Sequence, residues 1–123
     1  MDELIARISS NVGIDPATAT KAVGLILAFL EKEGPADKVS ALIDAIPGAR
    51  EAVAAAQAEG GGGFLSSMMG GVMGLGSQLM GMGLGMSEIS GVSKQTIGYA
   101  REKAGAGPVD DVVNSIPGLG QFV

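Results

Sequence analysis

The stretch Ala36-Asp37-Lys38-Val39-Ser40-Ala41-Leu42-Ile43-Asp44-Ala45-Ile46-Pro47-Gly48 decides the fold. Val39, Leu42, Ile43 and Ile46 stand at i, i+3, i+4 and i+7, the spacing that lines one face of an α-helix with apolar side chains. Pro35 sits near the first turn, where a missing N–H costs nothing, and Asp37 complements the positive end of the helix dipole. At the other end Pro47 drives Ile46 toward extended backbone, and Gly48 permits the chain to reverse. The pattern returns 70 residues later. Val109, Val112, Val113 and Ile116 repeat the stripe, Pro108 and Asp110-Asp111 repeat the start, and Ile116-Pro117-Gly118 repeats the stop.

Laying residues 36–53 over 106–123 gives six identities in 18 positions: Ala36/Ala106, Val39/Val109, Ile46/Ile116, Pro47/Pro117, Gly48/Gly118 and Val53/Val123. Leu42/Val112, Ile43/Val113 and Asp44/Asn114 are near matches. A tripeptide can recur by chance. A stripe, a start and a stop recurring in one order point instead to duplication of a helical module.

Upstream the correspondence continues with the offset widening to 72, which sets Gly13-Ile14-Asp15 on Gly85-Met86-Ser87. Asp15 and Ser87 read as N-caps, with Pro16 at the first helical position. The helix after Asp15 is expected to run to about Glu33 and to turn Ala19, Val23, Ile26, Leu27 and Leu30 inward, with Gly34-Pro35 ending it. Its counterpart after Ser87 runs to about Ala104 and ends at Gly105. Leu4, Ile5, Ile8 and Val12 mark an amphipathic opening helix, matched around residues 72–84. Residues 51–59 are Ala-rich and extend the first copy as a helix, which Gly60, Gly61, Gly62 and Gly63 break as a joint. The expected fold is all-α, a helical bundle of about six helices from two tandem three-helix repeats. Residues 1–59 form the first repeat, 60–63 the Gly-rich linker and 64–123 the second repeat, packed together as one compact unit.

Composition agrees. Hydrophobic residues make up 46% of the 123 and aromatic ones only 3%, so the core is built from Ala, Val, Ile, Leu and Met, which suit close helix packing. The net charge is −5. Residues 1–53 carry 5 basic and 8 acidic side chains and the remainder 3 and 5, so neither half offers a basic stripe for phosphates, and no nucleic acid partner is expected. Cys, His and Trp are absent, which removes disulfides, thiolate zinc sites and imidazole triads. The charged start Met1-Asp2-Glu3-Leu4-Ile5-Ala6-Arg7 is unlike a secretory signal, and a cytoplasmic protein is expected.

Met1-Asp2-Glu3-Leu4-Ile5, the block from Lys32 to Val39 leading to Ile46-Pro47-Gly48, and Tyr99-Ala100-Arg101-Glu102-Lys103 leading to Ile116-Pro117-Gly118 carry a resemblance. In these the chain resembles a family of small bacterial all-helical proteins known as domains of unknown function, with a repeated Ile-Pro-Gly helix stop. The resemblance covers nearly the whole chain, implies the fold and implies no activity.

Residues 60–86 hold no charge, and residues 64–86 hold six of the seven Met. Gly70-x-x-x-Gly74 and Gly81-x-x-x-Gly85 are spacings that membrane helices use to dimerise, but Gly, Ser66, Ser67, Ser77 and Gln78 dilute the hydrophobicity and argue against a membrane span. A disordered low-complexity linker is a further reading, against which the regular Leu and Met content speaks. The leading reading is a close-packed helix, ordered by tertiary or intersubunit contact because its glycines weaken it alone. The other is an adaptable surface for a partner helix or an apolar ligand, and Met69, Met73, Met80 and Leu84 are its candidate apolar contact residues.

Chemistry is poorly provided for. No G-x-x-x-x-G-K-[ST] occurs, since no Lys lies between Lys38 and Lys94, and Gly81-Met82-Gly83-Leu84-Gly85-Met86 lacks the last Gly of a dinucleotide fingerprint. Tyr99 and Lys103 have the Tyr-x-x-x-Lys spacing of short-chain dehydrogenases without the Rossmann unit that would bring a nicotinamide to them. Glu31 with Glu33 and Asp110 with Asp111 do not share helix faces. The expectation is therefore no enzyme, no catalytic residue, no cofactor and no metal. In their place stands an interaction or structural protein that associates with itself or with another protein, or alternatively a carrier or sensor of an apolar small molecule or lipid.

Overall fold

Each apolar stripe becomes the buried face of a helix in the computed structural model of the chain. It describes residues 2–59, 71–116 and 120, apart from the side chains of residues 57–59 and 71–74. Seven helices and no strand occur among the described residues. They are α1 (Asp2–Val12), α2 (Pro16–Glu33), α3 (Ala36–Ala45), α4 (Ala49–Glu59), α5 (Gly71–Gly81), α6 (Met86–Ala104) and α7 (Ala106–Ser115). The fold is all-α. The expected number of helices is about six, and α4 accounts for the seventh. The Gly60–Gly63 joint and the second Pro-Gly stop, Pro117-Gly118, lie outside the described residues.

α3 and α7 are each 10 residues long and end in the same way. Ile46 leaves α3 at φ −102°, ψ 110° and Ile116 leaves α7 at φ −108°, ψ 111°, the extended backbone that a following proline demands. Both N–H groups turn back to the carbonyl three residues earlier, on Ile43 at 3.1 Å and on Val113 at 3.3 Å. The stripe Val39, Leu42, Ile43, Ile46 is buried throughout, as is Val109, Val112, Val113, Ile116.

The long helices α2 and α6 bury matching positions. Ala19, Ala22, Val23, Ile26, Leu27 and Leu30 are buried on α2, and 70 residues on so are Ile89, Val92, Ser93, Thr96, Ile97 and Ala100 on α6. These buried positions stand at an offset of 70, where the sequence comparison at this point reads 72. Gly13 at φ 84° and Gly83 at φ 93° make the left-handed turns that enter the two helices, and they too are 70 apart. The N-caps are Asp15 and Gly85. Ser87 lies inside the first turn of α6, because the Glu88 carboxylate accepts the Gly85 N–H at 2.9 Å and so closes the helix start two residues earlier.

α1 packs on α2 and α6, and α5 packs on α6 and α2. α2 meets α6 and α3 meets α7, while α4 lies along α2 in the most extensive contact among the described helices. One apolar cluster runs through all of this, from Leu4 and Ile8 through Leu27, Leu30 and Leu42 to Leu79, Ile97 and Ile116. Each fully buried Leu or Ile contributes roughly 1.5–3 kcal/mol. The ion pairs across the molecule, Arg7 with Glu102 and Lys38 with Asp111 (2.6 Å), lie on exposed surface. Solvent screens them, so each contributes little to stability.

Among the described residues no single helix is long and apolar enough to cross a membrane. α1 and α2 reach that length and composition only as a pair bent by 112°.

Candidate functional site

The end of α5 and the start of α6 frame the surface that stands out. α5 closes with a tight turn, in which the Met82 and Gly83 N–H groups donate to Leu79 O at 3.1 Å and Met80 O at 3.0 Å. The Leu84 N–H returns to Leu79 O at 3.3 Å. This winding, with Gly83 in the left-handed region, carries the chain back so that Leu84 enters the core at 4% exposure. Met80 stays outside at 54%. Met86, the first residue of α6, is 62% exposed, and Met82 between them is half-buried against the core.

The four candidate contact residues therefore divide. Met69 lies outside the described residues, and Met73 lies in the first turn of α5 with its side chain outside them. Met80 is on the surface, whereas Leu84 is a core residue, so these two do not share one face. Met86 is the exposed apolar residue that sequence reasoning passed over. Spacing alone gave no signal for it: Met86 and Ile89 are three apart and would share the apolar face of a helix, yet Ile89 is buried and Met86 is not. Met80 and Met86 are the exposed large hydrophobic residues among the described ones, and residues 71–87 carry no ionisable side chain.

A concavity of about 580 Å³ opens where the start of α1 meets α2 and α4. Its lining includes Asp2, Glu3, Thr20 and Glu51 over Ile5 and Ala52. Asp2, Glu3 and Glu51 occupy first turns, where a carboxylate offsets the N-terminal dipole, and Thr20 Oγ1 donates to Pro16 O at 2.8 Å. Each polar group here has a structural task.

Tyr99 is buried at 3% exposure. Arg7 lies 5.5 Å and Lys103 5.4 Å from its ring centroid, cation–π distances that join α1 to α6. The Tyr-x-x-x-Lys spacing thus serves packing. Asp110 accepts two hydrogen bonds from Arg101, at 2.8 and 3.1 Å, while Asp111 pairs with Lys38, so these adjacent carboxylates point to different partners. Arg7 holds the Glu102 carboxyl below its ordinary range through their hydrogen bond, and Arg50 does the same for Asp44. Among the described residues no three carboxylates gather closely enough to hold a metal ion.

No family model, no curated protein and no solved structure matches the chain.

Proposed function

We propose that the protein acts by association rather than by chemistry, with a second copy of the same chain meeting it at the α5–α6 turn. The observation that carries this is the exposure of Met80 and Met86 in a chain whose other large apolar side chains, among the described ones, are buried or partly buried. Charge favours a second copy as the occupant. Two chains of net charge −5 repel over most of their surface, and the uncharged residues 71–87 let them approach without apposing like charges. Methionine side chains adapt to whatever surface they meet, which suits them to such a contact. This reading takes the protein as a non-enzymatic cytoplasmic one.

Light scattering over a range of concentrations tests it. The native chain is expected to show a concentration-dependent dimer, and the double variant Met80→Glu, Met86→Glu a monomer with an unchanged melting curve. A native chain that remains monomeric throughout refutes the reading. An apolar small molecule or lipid is the alternative occupant of the same surface. Native mass spectrometry of gently purified protein separates the two, because a co-purifying lipid would replace the dimer.

We further propose that α1–α3 and α5–α7 descend from one duplicated three-helix unit. Matching helix lengths, the paired Ile stops and six buried positions shared at a constant offset of 70 support this. The pairing of helices does too, since exchanging the two trios turns the α1–α6 contact into the α5–α2 contact. α4 breaks the correspondence. Its close approach needs Gly24 on α2, and the position 70 residues on is Lys94, exposed and charged.

A further inference from the structure

We infer that a second copy of this chain can also complete the core, by exchange of halves. The helix contacts α1–α6, α2–α5, α2–α6 and α3–α7 all cross between residues 2–59 and residues 71–116. They have the closeness of an interior. A Cβ at Gly91 on α6 would stand 2.8 Å from Val12 Cγ2 on α1, and one at Gly34 would stand 3.4 Å from Val112 Cγ1 on α7. The apolar cluster is continuous across both halves, so each half completes part of the core of the other.

Every one of these contacts is satisfied equally well when α1–α4 come from one copy and α5–α7 from another. The contacts between the described helices are the same in both arrangements, and the stretch of sequence between the halves begins with four glycines, Gly60 to Gly63. Exchange of an identical element in this way is a low-cost route to a dimer, governed by chain concentration during folding. It uses the interior of the protein and needs neither Met80 nor Met86. The two modes of self-association are thus separate, and each stands or falls alone.

Cysteine chemistry distinguishes them, because the native chain has no Cys. Lys38 Nζ and Asp111 Oδ2 are 2.6 Å apart across the α3–α7 contact, and both side chains are about half exposed, so replacing them leaves the core intact. A chain carrying Lys38→Cys and a chain carrying Asp111→Cys are mixed, unfolded, refolded together at high concentration and treated with a short bis-maleimide. Exchange yields a covalent dimer joining the two variants, and almost none when the folded proteins are merely mixed. A dimer built on Met80 and Met86 keeps positions 38 and 111 paired within each chain and yields no such product in either preparation. The double variant Lys38→Cys, Asp111→Cys serves as the reference for reach. Internal linkage of that variant, with only monomer from the refolded mixture, overturns the inference. Native chain refolded at the same concentration gives an independent reading. A dimer fraction that persists on dilution supports exchange, because separation then requires global unfolding, and monomer alone overturns it.

Discussion

A methyl group on Gly24 would stand 2.5 Å from the carbonyl oxygen of Ala52 and 3.1 Å from the Ala56 Cβ. α2 and α4 therefore meet almost backbone to backbone, through Gly24 on one side and Ala52 and Ala56 on the other. Gly24→Ala is expected to destabilise by about 1–3 kcal/mol through overpacking, despite removing a glycine from a helix. Gly98→Ala, on α6, is the contrast. Nothing lies within 4 Å of its Cβ position, so it should stabilise by roughly 0.5–1 kcal/mol. Urea unfolding of both variants checks the pair, and hydrogen exchange in the first should show the α4 amides opening early.

Ile46 and Ile116 are buried at 1% and 3% exposure at the ends of α3 and α7. Truncating either to Ala is expected to cost about 2–5 kcal/mol, and the two costs should be of similar size. A harmless Ile116→Ala in denaturant unfolding would show that the second helix stop lies outside the working core.

Glu102 and Asp44 have pKa values lowered from 4.5 and 3.8 by the hydrogen bonds from Arg7 and Arg50. A lowered folded pKa means that the unfolded chain binds the proton more readily. The stabilisation is therefore complete above those ordinary values and is lost as pH falls through the lower, folded ones. Because solvent screens both exposed pairs, Glu102→Gln and Asp44→Asn should lower the urea midpoint near neutral pH only slightly, and that difference from the native chain should fade in acid. A difference that grows as pH falls would contradict the sign.

The Ser9 hydroxyl is buried without a hydrogen-bond partner among the described residues. Ser9→Ala removes that unsatisfied group from α1 and is expected to raise stability by up to about 1 kcal/mol. A lowered midpoint in urea would reveal a partner for the hydroxyl in solution.

Helices α2, α3, α6 and α7 were legible because their apolar residues recur at the helical period and their ends carry Pro and Gly. α6 starts two residues before the point that the sequence favours. Ser87 is the better capping side chain in isolation, but the reach of Glu88 to Gly85 fixes the boundary. Met80 and Leu84, four apart, look like neighbours on one continuous helix. The turn closed by Gly83 separates them, and sequence spacing carries no sign of it until the helix is known to stop at Gly81.

The sequence by itself determined where helices form, which face of each is apolar and where several of them end, because periodicity, capping and proline sterics act within a few residues. Only the tertiary structure decided which stripe packs against which, that α4 lies on α2 and not on α6, and that Leu84 goes inside while Met80 and Met86 stay out. Apolar burial is non-directional, so a stripe specifies that it will be covered but not by what. That choice falls to close approaches such as Gly24 against Ala52, which exist only once the helices have met.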